Sequence, residues 1–161
     1  MKLISFQRDS RSTWGAVVDA AQDRDGALRG GVVDLGRRLP QWPQLIDCLR
    51  ADGLAVARGL AVRGNVELDA RDLRLLRPIP YPEKILCVGV NYAERNEEYR
   101  DGSDAPKYPS LFVRAPDSLG AHRDALLRPP ESEQLDYEGE ITIVIGKAGR
   151  RIPAGRAREH V

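Results

Sequence analysis

The stretch that says most about this chain is LDYEGEITIVIG, residues 135–146. Three carboxylates stand there at alternate positions, Asp136, Glu138 and Glu140, and the β-branched apolar run ITIVI follows them. Such a run predicts a strand, on which side chains two residues apart point to the same face. If the strand begins at Asp136, the three acids share one side of it.

Two interpretations of these acids are open. Like charges on one face repel each other, and a hard divalent cation would offset that cost, because Mg²⁺, Mn²⁺ and Ca²⁺ prefer oxygen ligands. The alternative is a solvated strand edge that carries acids, which is a common feature of edge strands. Under the first interpretation Asp136 could orient a ligand from outside the metal shell, and under the second it caps the strand or lies at the surface.

The composition excludes several classes of protein. The chain has 161 residues, with 25 basic and 24 acidic side chains and a net charge of +1, so we expect no nucleic-acid partner. Its apolar runs are too short to cross a bilayer, and its N-terminus lacks the apolar stretch of a signal peptide. Cys48 and Cys87 have no zinc or disulfide spacing, so we expect two buried thiols in a cytoplasmic protein without a membrane partner.

The first half of the chain has the pattern of a small β-rich domain. Strands are predicted at residues 3–6, 13–18, 31–35 and 73–76, with helices near 45–49 and 54–62. The Asp25-Gly26 pair predicts a turn between two of the strands. Pro78, Pro80 and Pro82 then stop both helix and sheet. We therefore predict one domain over residues 1–77 and a second over residues 78–161.

The second half is predicted to contain strands at 84–90 and 110–113, with a further short one at 126–127. Strands outnumber helices and do not alternate strictly with them, which favours an α+β fold over a doubly wound sheet. Residues 153–161 begin like a helix with proline in its first turn, and no C-terminal signal follows. This pattern predicts that the second domain is incomplete and that the chain is a fragment of a longer protein.

Three ordered motifs point to a family. They are VGVNY at 88–92, YPSLFVR at 108–114, and QLDYEGE at 134–140 leading into VIGK at 144–147. In order and spacing they resemble the fumarylacetoacetate hydrolase superfamily, and the chain is similar to the N-terminal portion of a bacterial-type member. The resemblance covers residues 84–161. It implies a small β-rich N-terminal domain followed by a mixed β-roll catalytic domain, here incomplete.

The resemblance also implies a chemistry. Glu138 and Glu140 would hold Mg²⁺, Mn²⁺ or Ca²⁺ together with a third carboxylate beyond residue 161. Family substrates are small 2-oxo, enol or 1,3-dicarbonyl acids, and the reactions include C–C bond hydrolysis, isomerisation, hydration and decarboxylation in catabolism, including that of aromatic compounds. A homodimer is expected from the resemblance.

The acid–base group departs from the family pattern. Many members carry histidine three residues after the motif tyrosine Tyr92 and glutamate three further on. Here Glu98 matches, but Arg95 replaces the histidine and stays protonated, so it cannot be a general base. Glu98 could act alone through a water, while Arg95 clamps a substrate carboxylate or pairs with Glu98. His122, in a Gly-Ala-His-Arg-Asp loop, is the other candidate base, or it is simply exposed.

The substrate site is expected to include Tyr92, Lys107 and Arg114. Arg114 replaces a family lysine and could bind a substrate carboxylate, or it could end a strand with a solvated charge. A second hypothesis is that the chain is an inactive or structural segment of such an enzyme, because it lacks the third metal ligand. A third, a small β-rich binding module, is disfavoured by the three ordered motifs. Two glutamates alone should bind Mg²⁺ weakly.

Overall fold

The structure, a computed structural model, describes residues 1–90, 102 and 107–161. Its contacts divide the chain into two compact units, Met1–Pro78 with Ala121–Val161, and Ile79–Gly120. Antiparallel strands predominate and the helices are short, so the predicted α+β class is confirmed. The division into domains 1–77 and 78–161 stays a prediction.

A five-stranded antiparallel sheet organises the first unit. Its spatial order is β4-β3-β2-β1-β5. The strands are β1 (Lys2–Arg8), β2 (Arg11–Gln22), β3 (Leu28–Asp34), β4 (Leu68–Asp69) and β5 (Arg74–Leu76). The predicted Asp-Gly turn joins β2 to β3, where Gly26 has a φ of +77° and its amide donates to the Asp23 carbonyl over 3.0 Å.

Alternation along the strands gives the sheet two apolar faces. On β2 and β3, Ala16 and Val33 belong to one buried cluster with Trp14, whereas the adjacent Val17 and Val32 belong to another with Phe6. Successive side chains of a strand point to opposite faces, so adjacent residues enter different clusters. Burial on both faces anchors this sheet.

Three short α-helices cover the Trp14 face. They are α1 (Leu35–Arg38), α2 (Leu45–Arg50) and α3 (Leu54–Arg63). The Trp14 indole donates to the Trp42 carbonyl over 2.8 Å, which satisfies its only polar atom. Cys48 of α2 is fully buried here, as predicted, and burial raises the pKa of its thiol. An uncharged packing role follows for this cysteine.

The buried carboxylate of Asp34 joins β3 to α1. It accepts hydrogen bonds from the Arg8 guanidinium over 2.8 Å, the Thr13 hydroxyl over 3.1 Å and the Arg37 amide over 3.0 Å. Its own backbone amide donates to Glu67 over 3.0 Å. Asp34 is therefore both the N-cap of α1 and the partner of a half-buried arginine.

The second unit contains a two-stranded antiparallel sheet. β6 (Ile85–Gly89) pairs with β7 (Ser110–Arg114), and Gly89 lies opposite Ser110. A short 3₁₀-helix follows at Pro116–Ser118. Cys87 of β6 is only half-buried, which corrects the prediction of two buried thiols. Two strands alone cover neither of their own faces, which explains the incomplete burial.

Residues 121–161 contain no strand, and their one helical element is the 3₁₀-helix Ala154–His160. The strands predicted at 126–127 and from Asp136 through the ITIVI run are therefore wrong. β propensity reflects packing on neighbouring strands, and no strand in the described ranges lies beside these segments. Their apolar side chains are exposed, with Ile141 93% and Leu127 91% accessible.

The end of the described chain folds back on itself. The His160 carbonyl accepts from the amides of Gly146 over 2.9 Å and Lys147 over 3.3 Å, and its ring Nδ1 lies 2.9 Å from the Lys147 carbonyl. The ring also packs against Gly149, where an added Cβ would lie 2.7 Å from it. Over the ranges that the structure describes, no helix has the length and apolarity needed to span a membrane.

Candidate functional site

The two predicted metal ligands lie in an exposed, irregular segment. Glu138 and Glu140 flank Gly139, around which no heavy atom lies within 4 Å of an added Cβ. The Asp136 carboxylate accepts a hydrogen bond from the Tyr137 amide over 2.8 Å. Because this segment is not a strand, strand geometry does not place the acids on one face. Their assignment as metal ligands stays a prediction.

The chemistry of these acids fits a hard divalent cation, since exposed carboxylates are the donors that Mg²⁺, Mn²⁺ and Ca²⁺ take. The described residues contain no cluster of three or more His, Cys, Asp or Glu side chains arranged to hold a metal. Glu138 and Glu140 can therefore supply two oxygen ligands, and a closed site needs more.

The predicted substrate-binding cations of the second unit lie at the end of β7, Arg114, and shortly before its start, Lys107. The Arg114 guanidinium lies 5.7 Å from the centre of the Phe112 ring, and the Lys107 ammonium lies 5.5 Å from the centre of the Tyr108 ring. Cation–π contacts at these distances restrain long side chains. Both residues are exposed, so their charges are accessible to an anionic ligand.

The remaining predicted residues of the motif region, Tyr92, Arg95 and Glu98, lie outside the described residues. β6 ends at Gly89, and Val90 has a φ of +53°, so the chain turns directly before this region. The roles given to these three residues stay predictions.

His122 lies in a different setting. It lines a cavity of about 120 Å³ in the first unit. The other basic residues in the lining are Arg71, in the turn before β5, Arg74 on β5, and the adjacent Arg123. Apolar walls come from Ala27 and Leu28. Neither Glu138 nor Glu140 lines this cavity. The sequence predicts His122 as a candidate base. It contains no local signal that Arg71, in the turn before β5, and Arg74, on β5, line the same cavity.

The charge of Arg71 is already matched. Its guanidinium holds Asp69 in two parallel contacts, Nη2 to Oδ2 at 2.6 Å and Nε to Oδ1 at 3.1 Å. This side-chain bond, with a further one from the Arg71 amide, lowers the pKa of Asp69 to about 2. Arg74 and Arg123 make no ion pair with a residue that the structure describes, so the remaining positive charge of the cavity is theirs.

Comparison with known proteins supports the motifs quoted above. The family model for the C-terminal domain of fumarylacetoacetate hydrolase matches residues 84–161. A mitochondrial oxaloacetate tautomerase of Bos taurus is 35% identical over 136 residues, which is 82% of this chain and 42% of the relative. An oxaloacetate tautomerase of Bacillus subtilis is 38% identical over 130 residues, covering 73% of this chain and 43% of the relative.

A solved structure gives the same result. The fumarylacetoacetate hydrolase from psychrophilic Exiguobacterium antarcticum aligns with 99% of this chain and 52% of its own, with a TM-score of 0.64 and 29% identity. The chain thus spans about half the length of the relatives it matches. The family model, the curated relatives and the shared fold agree, and together they support membership of the fumarylacetoacetate hydrolase superfamily.

Proposed function

We propose that the chain is part of a metal-dependent enzyme that interconverts the keto and enol forms of a small 2-oxo dicarboxylic acid. One observation carries the proposal: the DYEGE motif lies in the region matched by the family model, and curated relatives that match most of this chain are named oxaloacetate tautomerases. The reaction moves one proton between a carbon and an oxygen, so it needs an acid–base group, a carboxylate binder and a polarising charge.

Each need has a candidate on this chain. A divalent cation, Mg²⁺ or Mn²⁺ in the first place, would polarise the substrate carbonyl when bound. Glu138 and Glu140 would give it two of its oxygen ligands. Arg114 would bind a substrate carboxylate with its planar guanidinium, assisted by Lys107, and Glu98 would carry the proton. Tyr92 and Arg95 complete the proposed substrate site.

The catabolic role, the homodimer and the cytoplasmic location belong to the same proposal. The dimer is supported by exposed apolar side chains on both strands of the second unit, among them Leu86 at 65% and Val113 at 74%. Such surface is normally covered in a stable assembly. The curated Bos taurus relative is described as mitochondrial, so the location needs its own measurement.

A second candidate is a non-catalytic segment of such an enzyme. It follows from the expectation that two glutamates alone bind Mg²⁺ weakly. The two candidates make different predictions for metal binding and turnover by the same 161-residue chain.

Calorimetric titration with Mg²⁺ and Mn²⁺ tests the proposed ligands. We expect binding weaker than micromolar, because two carboxylates do not complete an octahedral shell. The double substitution Glu138→Gln/Glu140→Gln should abolish it. The matched control is Glu131→Gln/Glu133→Gln, which removes the same charge at the same spacing from the same exposed segment. Equal losses in both variants would show nonspecific binding and contradict the assignment.

The activity is measured by following loss of the enol absorbance of oxaloacetate at saturating Mg²⁺. Turnover above the uncatalysed rate that disappears in Glu138→Gln/Glu140→Gln supports the enzyme. A rate that equals the uncatalysed one, with metal bound, favours the non-catalytic segment.

A further inference from the structure

A second, basic site lies in the first unit, away from the acidic motif. The cavity beside His122 has a volume of about 120 Å³, several times the roughly 30 Å³ that one water occupies in the liquid. Arg71, Arg74, Arg123 and His122 line it, and within the part of the chain that the structure describes no acidic side chain does. A pocket of this size and charge is suited to a small anion.

Two of the arginines have no acidic partner among the described residues. Arg71 is held by Asp69, as described above, whereas neither Arg74 nor Arg123 makes an ion pair with any described residue. The carboxylate beside Arg123 in sequence, Asp124, is engaged elsewhere because it accepts from the Ala121 amide over 2.7 Å. With no ionic partner among the residues that the structure describes, these two guanidiniums can donate to a ligand.

The loop that carries Arg123 is held in place. The Asp124 amide donates to the Ala121 carbonyl over 3.1 Å, and the Asp124 carboxylate accepts from the Ala121 amide. Arg123 has a φ of +64°, a left-handed conformation that this closed turn maintains. The backbone of Arg74, which lines the same cavity, is fixed by the pairing of β5 with β1. The cations come from ordered backbone, which lowers the entropy cost of binding.

We infer that Arg74, Arg123 and His122 form a binding site for a small oxyanion, carrying carboxylate or phosphate oxygens, that is separate from Glu138 and Glu140. Arginine offers a rigid fork of donors that matches both kinds of oxyanion. Arg71 also lines the cavity, but its charge is matched by Asp69. Ala27 and Leu28 limit the ligand to a compact molecule.

Binding is measured by titrating the full chain with inorganic phosphate and, separately, with malonate at low ionic strength, where exposed charges are screened least. Amide chemical shifts report where each anion binds. We expect saturable changes centred on residues 73–75 and 121–124. Binding of one anion alone identifies the preferred oxygen geometry and supports the site, whereas saturation by neither, or shifts centred elsewhere, overturns it.

The variant Arg74→Gln/Arg123→Gln should weaken binding by about tenfold or more, because two charge-assisted hydrogen bonds are lost. Both side chains are exposed, so the fold should persist, and circular dichroism checks this. Arg58→Gln, at an exposed position of α3, is the control and should bind as the unaltered chain does. A loss in Arg58→Gln equal to that in the double variant would contradict the site. Because Mg²⁺ titration does not involve these residues, the two proposals fail independently.

Discussion

At Asp34 a single buried carboxylate connects three parts of the first unit. Arg8 on β1, Thr13 on β2 and the first turn of α1 all donate to it, and its side chain is 2% exposed. Removing one member of a buried charged network leaves the others without partners, and this costs more than the pair itself contributes. Asp34 is thus a point where charge and helix capping depend on one residue.

We expect Asp34→Ala to lower the free energy of unfolding by about 2–3 kcal/mol, through loss of the cap and of the Arg8 partner. Asp34→Asn keeps an oxygen for the cap but not the charge, and should cost about 1 kcal/mol. Urea unfolding followed by the fluorescence of Trp14 and Trp42, both in the first unit, measures this. Equal costs for the two variants would show that the charge is irrelevant.

The Asp69–Arg71 pair makes stability depend on pH. The Arg71 side chain lowers the pKa of Asp69 to about 2, whereas an unfolded aspartate titrates near 3.9. Between those values the unfolded chain binds more protons, so stability rises with pH. The contribution is complete above about pH 4 and is lost as the pH falls through about 2.

Urea midpoints measured from pH 6 down to pH 2 test this dependence. Asp69→Asn should flatten the fall below pH 4 without changing the slope above it. Glu67 contributes to the pH dependence of stability in the same direction. Burial raises the pKa of Glu67, but hydrogen bonds from the Arg38 side chain and the Asp34 amide lower it by more, so the pKa lies below its ordinary value. An Asp69→Asn profile parallel to the unaltered one would show that the pair has no effect.

Among the elements, the β2–β3 pair contains the sharpest backbone requirement. Its register shifts between Val18 and Ala21, and opposite this bulge Gly30 has a φ of +135°. An added Cβ would lie 2.5 Å from the Val18 carbonyl oxygen. Both the conformation and the space therefore demand glycine there.

Gly30→Ala should destabilise the first unit by about 2 kcal/mol, from backbone strain and the collision with Val18. Gly155→Ala is the control, because no atom lies within 4 Å of its added Cβ and its φ is negative or extended. That change should stay within about 0.5 kcal/mol. Equal thermal midpoints for the two variants would contradict this account.

The elements also show how far sequence reasoning reaches. β1, β2, β3, β5, β6 and β7 were each predicted, because alternating or continuous apolar runs bounded by turn residues are local signals. The run after Glu140 has equally strong local character, yet it forms no strand. Strand formation requires a neighbour, and the sequence of one segment does not contain that information. That Arg74 and Arg123 line one cavity could not be predicted for the same reason, because the two residues are far apart in the sequence and are brought together by tertiary structure.

On the scale of the whole molecule, exposed apolar surface is the dominant feature. Ile141 and Ile143 are 93% and 61% accessible, and the strands of the second unit expose further large side chains. Apolar surface of this kind promotes association. The relatives that the chain matches are about twice its length, so their folds have additional chain available to cover corresponding surface.

We expect the 161-residue chain to associate as its concentration rises, and Ile141→Lys/Ile143→Lys to reduce this. Sedimentation velocity measures the change. The control is Val56→Lys/Val62→Lys on α3, a helix whose other face packs in the core of the first unit. These two side chains are 51% and 81% exposed. A larger effect of the α3 variant would place the associating surface on the helices instead.

The double hydrogen bond at His160 has a consequence for solvent exchange. Its carbonyl holds the amides of Gly146 and Lys147, so their hydrogens should persist in deuterated water, while those of the preceding ITIVI run exchange at once. Because a backbone oxygen makes these bonds, replacing the imidazole would loosen the packing on Gly149 but leave the acceptor in place. Hydrogen exchange can thus separate the contribution of the ring from that of the main chain at a single residue.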